Sequence, residues 1–355
     1  QADPFSQYAF HAALEHSGSV GGESGWQPLH LEITEAGNPI ALIPSYVKTN
    51  SWGEYVFDFE WANAYQRYGL EYYPKMISAV PFTPCAGPRI LLAEGAELTT
   101  ALTFLQQQLP HLCRQLKLSS WHWLFAQQPD WEAAQQQSWH QRIGCQYHWY
   151  NHTYSQFEDF TARLTSRKRK SIKKERRVIV EQGIKFTWQQ GDNISSQSLK
   201  EFYACYQSTY MKRRSQGYLA YPFFSQLLTQ MPEKLLLVTA SKDESPLAYA
   251  LFFVDDDTLY GRYWGCLEEV EFLHFETCYY QGIDYCIAKG IPHFDAGAQG
   301  EHKLARGFIP QLTHSYHYLA ETGFNDAIKA FCTAEAQQIE HYMQWAETAL
   351  PYKTE

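Results

Sequence analysis

The strongest constraint on the fold is a change of hydrophobic period that recurs along the 355 residues. Short apolar runs typical of strands alternate with stretches of three- and four-residue spacing typical of helices. Each half of the chain contains a pair of strands, then helices, then a strand–helix–strand return. This alternation predicts an α/β fold (α+β in a finer division) with two tandem domains built on mixed sheets. The length also suits two domains better than one.

The same pattern places the individual elements. Strands are predicted at residues 29–34, 40–48, 75–80, 89–92, 121–126, 145–151, 184–188, 235–240, 247–254, 258–264, 291–294 and 314–320. Helices are predicted at residues 60–68, 98–116, 131–138, 157–182, 197–213, 222–230, 275–289 and 325–348. No linker rich in proline, glycine or serine separates the halves, so the pattern alone sets the boundary. The first domain is predicted to cover residues 1–153 and the second residues 154–321.

Composition argues against several classes of protein. The chain has 45% hydrophobic and 19% charged residues, which is typical of a globular protein rather than a disordered one. Its net charge of −9 argues against a protein that is basic overall. No apolar run approaches the roughly 20 residues of a membrane span. The eight cysteines form no C-x-x-C pair, so reduced cysteines and a cytoplasmic location are predicted.

Basic residues are concentrated in one predicted helix. Between Arg163 and Arg177 there are nine lysines and arginines and a single acid, Glu175. Like charges on one helix face repel, and a polyanion such as RNA or a phosphorylated carrier would relieve that repulsion. A polyanion- or donor-binding surface is therefore predicted at Arg167, Arg169, Lys170, Lys173, Lys174 and Arg177. The alternative is a solvated helix face.

A second concentration of ionisable groups follows the predicted strand 291–294. The stretch from Phe294 to Phe308 contains three glycines, two carboxylates, a glutamine, a histidine, a lysine and an arginine. Glycines just past a strand allow the backbone to approach a ligand closely, and loops held by a scaffold often carry binding residues. We therefore predict a functional site here. The alternative is a charged surface turn.

Acyl transfer to an amine requires a base for the amine proton, a donor for the oxyanion and a proton for the leaving group. The predicted catalytic residues are Glu301, Glu276, His274 and Asp295, as candidates for the base, and Lys303, which could stabilise the developing negative charge. The predicted substrate-binding residues are Arg262, Tyr263, Trp264, Gln299, Gly300, Arg306 and Tyr279. Successive side chains on a strand point to opposite faces, so only one of Arg262 and Tyr263 can face a given pocket.

Other chemistries find little support in the sequence. His274 and Glu276 are about 200° apart on a helix, and a neighbouring pair such as Glu301 and His302 is too weak a signal for zinc. No metal site is therefore predicted. The sequence has no G-x-S-x-G nucleophile elbow, no P-loop and no Rossmann glycine fingerprint. Covalent serine chemistry and nucleotide hydrolysis are not predicted.

Seven segments resemble the FemAB-like proteins of the GNAT (acyl-CoA N-acyltransferase) superfamily, and more closely its peptidoglycan biosynthesis/recognition family. They are GEYVFD at 53–58, YYPK at 72–75, AVPFTP at 79–84, RKRKSI at 167–172, LYGRYWG at 259–265, LHFE at 273–276 and GAQGEHK at 297–303. These segments run through nearly the whole chain, and the last is the most specific. The resemblance implies two tandem GNAT-like domains, with the segment 322–355 returning to the first and the site in the second.

The resemblance also implies a reaction. An aminoacyl group from aminoacyl-tRNA, or an acyl group from acyl-CoA, would be transferred to an amine-bearing small molecule or peptide, with no tightly bound cofactor. Lys303 would lie near the reacting centre. Arg262 and Gly265 fit the pyrophosphate motif of acetyl-CoA enzymes, but Leu267 stands where that motif requires Gly or Ala. The alternative function is non-catalytic recognition of a cell-wall fragment or peptide. The oligomeric state is left open.

Overall fold

A computed structural model describes residues 3–212, 214–298 and 300–353. The strands are β1 (Trp26–Pro28), β2 (Leu31–Glu35), β3 (Asn38–Ile43), β4 (Tyr46–Lys48), β5 (Lys75–Ser78), β6 (Leu91–Leu92), β7 (Ser120–Ala126), β8 (His140–Tyr150), β9 (Ile184–Gln190), β10 (Leu235–Lys242), β11 (Ser245–Val254), β12 (Thr258–Cys266), β13 (His293–Asp295) and β14 (Ile309–Leu319). The α-helices are α1 (Tyr8–His16), α2 (Phe59–Arg67), α3 (Leu98–Leu116), α4 (Trp131–Gln135), α5 (Phe157–Ala162), α6 (Ser166–Glu181), α7 (Ser196–Lys212), α8 (Tyr221–Gln230), α9 (Leu273–Phe275), α10 (Gln281–Lys289) and α11 (Asn325–Thr348). A π-helical turn, Glu276–Tyr280, joins α9 to α10. The predicted α/β fold class with mixed sheets is confirmed.

Some elements have the bounds predicted from the hydrophobic pattern, and others do not. The predicted helices 98–116 and 325–348 have the observed bounds of α3 and α11. The predicted helix 157–182 is instead divided into α5 and α6, because Leu164 forms a β-bridge with Tyr352 and Thr165 N donates to Pro351 O at 2.7 Å. The predicted strand 40–48 is likewise divided into β3 and β4. α1 and β1 were not predicted.

Contacts along the chain define two compact units. The larger unit contains residues 3–17, 146–311 and 344–353, and the smaller unit contains residues 18–145 and 312–343. These units differ from the predicted domains at both ends of the chain. Residues 3–17 belong to the larger unit because Phe5 and Phe10 bury their rings against Phe253, with centroid distances of 5.0 and 5.8 Å. The predicted segment 322–355 is divided between the units after Met343.

The smaller unit contains a sheet of strand order β1-β4-β5-β7-β14, in which only β5 and β7 are parallel. A second sheet has the order β2-β3-β6. On one face of the larger sheet, Met76, Trp121 and Trp123 belong to an apolar core that includes Leu102 and Leu105 of α3. α11 adds Ile328 and Cys332 to another cluster, with Trp61, Tyr65 and Tyr72 of the same unit.

A buried ionic network also lies in the smaller unit. Lys48 and Lys75 are directly opposite in the register of β4 and β5, and both are fully buried. Lys75 Nζ donates to Glu54 Oε2 at 2.7 Å and also to Asp58. Like charges placed opposite each other destabilise a sheet, so the two carboxylates are needed between the lysines. Two of the segments that carry the family resemblance, 53–58 and 72–75, therefore contribute to a buried ionic network.

The larger unit contains strands in the order β8-β13-β12-β11-β10-β9. Only β12 and β13 are parallel, and they pair over three residues, from Thr258 to Tyr260 on β12. Beyond Tyr260, β12 continues to Cys266 while β13 ends at Asp295, so the two strands separate. α7 contacts β11 and β12, and α10 contacts β13. In the described ranges, no helix combines the length and apolar character needed to cross a membrane.

Candidate active site

A cavity of about 90 Å³ lies in the larger unit where β12 and β13 separate. Strands that diverge leave a gap that side chains from neighbouring elements must line, and such gaps are common ligand sites. Five predicted site residues line this cavity: Arg262, Tyr263, Trp264, His274 and Tyr279. Cys278 and Ala296 also line it and were not predicted. The cavity thus combines residues from β11 and β12, from the helical segment after β12 and from the loop after β13.

A larger cavity of about 480 Å³ lies beside the first one. Trp264 and His274 line both cavities, so these two side chains stand between them. The remaining walls of the larger cavity are Thr209, Lys212, Cys266, Glu269, Val270 and Leu273. A donor or acceptor in the larger cavity would therefore reach the smaller one past Trp264 and His274.

Asp295 ends β13 and holds Arg262. The Arg262 guanidinium donates to Asp295 Oδ2 at 2.6 Å, and both side chains are almost fully buried. Burial alone would raise the pKa of Asp295, but the Arg262 guanidinium and the Gly297 N–H hold it well below its usual value. A carboxylate that stays ionised in an ion pair is a poor proton acceptor. The geometry favours a positioning role for Asp295 over the predicted role as a base.

Lys303 is buried in the loop after β13. Its Nζ donates to Ala296 O at 2.9 Å and to Gly297 O at 2.8 Å. Burial lowers the pKa of Lys303 to about 8, although Asp295 acts in the opposite direction. Lys303 does not itself line the cavity, but it fixes the carbonyl of Ala296, which does.

His274 and Tyr279 contribute polar groups to the cavity. The His274 ring packs edge-on against Trp264 and Tyr279, at centroid distances of 5.3 Å to each. The Tyr279 hydroxyl lies 3.0 Å from His302 Nε2. Burial raises the pKa of Tyr279, so its phenol keeps its proton. Burial also raises the pKa of the Cys278 thiol well above its usual value, so Cys278 is not a thiolate nucleophile.

Glu276 lies away from both cavities. It begins the π-helical turn, and its Oε1 accepts from Arg176 Nη2 at 3.0 Å and from Gln281 Nε2 at 2.8 Å. Within the described residues its Oε2 is buried and has no hydrogen-bond partner. Burial raises the pKa of Glu276. The contacts with Arg176 and Gln281 favour fastening of the turn to α6 over the predicted role as a base.

Arg306 has a similar fastening role. Its guanidinium stacks on the Phe275 ring, 3.4 Å from the centroid, and donates to both Glu175 oxygens at 3.0 Å. Glu175 also accepts from the Tyr280 hydroxyl. Glu175, the buried acid of the basic helix, is thus the residue that ties the loop after β13 to α6. Arg306 is absent from the walls of both described cavities.

Two other residues predicted in this loop, Gly300 and Glu301, are absent from the walls of both cavities. Glu301 is exposed, and it lines neither of the two cavities. Gly300 is half-buried with a φ of 119°, a conformation that favours glycine. Gln299 lies outside the described residues.

Tyr263 and Gly265 belong to the packing of β12 against helices. The Tyr263 ring packs on Tyr206 and Phe224, at centroid distances of 5.8 and 5.4 Å, so its ring faces the helices α7 and α8. A Cβ added at Gly265 would lie 2.0 Å from the backbone of Cys205 in α7. Close packing of α7 therefore explains this glycine, which the sequence comparison had matched to a pyrophosphate motif.

The basic helix α6 has two different faces. Ile172, Glu175 and Ile179 are buried, and Arg176 pairs inward with Glu276 and Asp284. The cations predicted to bind a polyanion are exposed at Arg167, Lys170, Lys173, Lys174 and Arg177 and half-buried at Arg169. Among the described residues, Arg177 is the one member of this set with an ion pair, to Glu181 at 3.4 Å. The exposed face is therefore a patch of largely uncompensated positive charge.

Metal binding requires several ligating side chains close together. Nowhere in residues 3–212, 214–298 or 300–353 do three or more His, Cys, Asp or Glu side chains gather in a way that could hold a metal ion. At the cavity, Arg262 pairs with Asp295, and Lys303 donates to backbone carbonyls. The chemistry that the groups around the cavity can support is proton transfer and the stabilisation of negative charge by Arg262 and by hydrogen-bond donors.

The fold and the cavity define a mixed α/β protein of two compact units, with a candidate site in the larger unit. The chain belongs to the FemAB-like family, described as peptidoglycan biosynthesis/recognition, whose profile matches residues 1–354. Two solved structures share the fold. L-PGS from Bacillus licheniformis has a TM-score of 0.54 at 9% identity, over 94% of this chain and 98% of that one. FemX has a TM-score of 0.54 at 9% identity, over 92% and 96%.

The family profile confirms the predicted membership of the FemAB-like family. At such low identities the two structures show the fold alone. No curated protein matches the sequence.

Proposed function

We propose that this protein is an N-acyltransferase that moves an aminoacyl group from aminoacyl-tRNA to an amine of a cell-wall peptide. The observation that carries the proposal is the cavity between β12 and β13, which is lined by Arg262, His274 and Tyr279 and bordered by Ala296. The family description, peptidoglycan biosynthesis/recognition, supports the acceptor class. A cytoplasmic location follows from this donor, because aminoacyl-tRNA is an intracellular substrate.

Charge favours tRNA over acyl-CoA as the donor. The loop between β12 and α9, where an acetyl-CoA enzyme would bind pyrophosphate, exposes Leu267, Glu268, Glu269 and Glu271. Three carboxylates in this loop would repel a pyrophosphate. The exposed cations of α6 offer a matching surface for the phosphates of a nucleic acid.

The reaction assigns a task to each group at the cavity. The amine nitrogen attacks the ester carbonyl carbon, a C–N bond forms, and the C–O bond to the tRNA breaks. His274 takes the proton from the amine, because its imidazole lines both cavities and can reach an acceptor entering through the larger one. Arg262 and the Tyr279 phenol stabilise the oxyanion, and the protonated His274 returns the proton to the departing tRNA oxygen. Lys303 positions Ala296 at the wall.

One observation favours the alternative, a recognition protein without catalysis. Two of the carboxylates predicted to be catalytic form ion pairs instead: Glu276 pairs with Arg176, and Asp295 pairs with Arg262. A protein that only binds a peptide in this cavity would need no base at all. The two functions therefore differ in the consequence of removing His274.

The test is a transfer assay with labelled aminoacyl-tRNAs and amine-bearing muropeptides, with binding followed by thermal stabilisation. A ligand at about 100 times its Kd adds roughly 2.7 kcal/mol to stability. We expect His274→Gln to lose transfer and to retain peptide binding. Lys289→Gln, which changes an exposed residue at the end of α10, is the control and should leave both unchanged. Peptide binding without transfer by the unmodified protein, for every aminoacyl-tRNA, would establish the recognition function instead.

A further inference from the structure

Two histidines that the sequence analysis did not single out lie behind Asp295 in the larger unit. The strand register places His148 of β8 opposite Asp295, and His293 of β13 opposite Thr258 of β12. His293 Nε2 lies 2.9 Å from His148 Nδ1, and His293 Nδ1 lies 3.1 Å from Thr258 Oγ1. His148 Nε2 lies 3.4 Å from Gln146 Oε1 and 3.9 Å from Asp295 Oδ1, so its interaction with Asp295 is electrostatic and longer than a hydrogen bond. These side chains form one row that leads from Thr258 to the carboxylate holding Arg262.

One arrangement of protons suits this row. His148 Nε2 faces two acceptors, Gln146 Oε1 and the Asp295 carboxylate, so this nitrogen carries the proton. His148 Nδ1 is then an acceptor, and His293 Nε2 must donate to it. His293 Nδ1 in turn accepts from the Thr258 hydroxyl. Every donor in the row therefore points towards Asp295.

The row is built from neutral rings. Burial lowers the pKa of His148 to about 4, and burial likewise lowers the pKa of His293. The charged groups that act on the pair are Asp295, Asp255, Arg262 and Lys303. The two acids raise the pKa values, but burial and the cations outweigh them. A proton added to His148 would place a second N–H against His293 Nε2–H, which the geometry of the row disfavours.

We infer that His148 and His293 are positioning residues, which hold Asp295 and through it hold Arg262 at the cavity wall. The inference rests on the proposed function of that cavity. Asp295 Oδ1 also accepts from Gly297 N at 2.8 Å, so the same carboxylate anchors the loop that carries Lys303. Loss of the row would remove the ring that packs behind the carboxylate and let Asp295 shift together with its partners Arg262 and Gly297. A displacement of about 1 Å at a reacting centre can lower a rate by about 100-fold.

The first test does not depend on activity. In protein labelled with ¹⁵N-histidine, two-bond ¹H–¹⁵N correlations report which ring nitrogen carries the proton. The signals would be assigned by their loss in His148→Gln and His293→Gln. We expect both rings to be neutral and protonated at Nε2 between pH 8 and pH 6. A His148 ring protonated at Nδ1, or charged at pH 7, would overturn the inference.

The second test compares two amides at position 148 in the aminoacyl-transfer assay. His148→Gln keeps an N–H near the position of Nε2, facing Asp295, and should retain kcat within about threefold. His148→Asn places its amide near Nδ1 and should lower kcat by about 10- to 100-fold. Adding His148→Asn to Asp295→Asn should cause no further loss, because the row then has nothing to position.

The outcomes separate the two proposals. Equal kcat values for the Gln and Asn variants, or an additive double variant, would refute the positioning role while leaving the transferase proposal intact. Absence of transfer by the unmodified protein would refute the proposed function. In that case the ¹H–¹⁵N correlations still test the inference, because they show whether both histidine rings carry their proton at Nε2.

Discussion

Burial makes Lys303 unlike the exposed lysines of this chain. Its ammonium donates to two carbonyl oxygens of the loop after β13, and burial lowers its pKa to about 8. The sequence identified this residue through its segment, GAQGEHK. The sequence did not indicate that the lysine would contact backbone carbonyls beside the cavity rather than the cavity itself. That distinction depends on which way the loop turns after β13.

The lowered pKa predicts how stability changes with pH. Between about pH 8 and the usual lysine value of about 10.5, unfolded Lys303 keeps a proton that the folded form has released, so unfolding becomes less favourable as pH rises. Relative to Lys303→Met, the free energy of unfolding of the unmodified protein should rise by about 2 kcal/mol from pH 7 to pH 9.5.

Urea unfolding at the two pH values measures this difference. Lys289→Met, at an exposed lysine of α10, is the matched control, because solvent surrounds its side chain in both states. A gap between the unmodified protein and Lys303→Met that stays constant with pH would show that burial does not perturb Lys303.

At the scale of elements, α6 combines two tasks on two faces. Its inward face fastens the loop after β13 through Glu175 and Arg306, whereas its outward face exposes cations. The count of basic residues predicted the outward face. It could not predict that Arg176 is turned inward. Helical spacing shows which residues share a face of α6, but it does not show which acid Arg176 pairs with.

The exposed face of α6 should dominate the binding of tRNA. Reversal of Arg167, Lys170 and Lys174 to Glu should weaken binding and reduce the slope of log K against log salt by about 2 to 3, since each lost phosphate contact removes about 0.7 to 0.9. The control reverses the three exposed lysines Lys200, Lys242 and Lys289, which changes the net charge equally. Equal losses in the two triple variants would mean that net charge, rather than the helix, attracts the nucleic acid.

At the scale of the whole molecule, both ends of the chain belong to the unit that holds the cavity. Residues 3–17 bring Phe5 to within 5.4 Å of the Arg262 guanidinium, and Tyr352 donates to Gly307 O at 2.6 Å. The cavity-bearing unit is therefore assembled from three separate stretches of the chain. A boundary drawn from sequence order alone assigns its first stretch to the other domain.

The contribution of the first stretch can be measured at Phe10. This ring is fully buried and packs on Phe5, Phe223 and Phe253. Phe10→Ala should lower the free energy of unfolding by about 3 to 5 kcal/mol, through lost burial and a residual cavity. Tyr8→Ala, on the same helix but 83% exposed, should change it by no more than about 0.5 kcal/mol. A cost for Phe10→Ala below about 1 kcal/mol would show that residues 3–17 contribute little to this unit.

The sequence by itself determined the fold class, the family and the segments that surround the cavity. Periodicity is a local property, so α3 and α11 were predicted with their observed bounds. Arg262, Trp264, His274 and Tyr279 were identified because their residue types suit the chemistry and their segments resemble the family.

Only the tertiary structure decided which of the predicted groups meet. Glu276 lies two residues beyond His274, yet it pairs with Arg176 of α6 rather than facing the cavity. His148 and His293 gave no signal in the sequence, because 145 positions separate them and only the register of β8 and β13 brings them together. Contacts of this kind depend on strand order and on the direction of each side chain, and neither is encoded by local spacing.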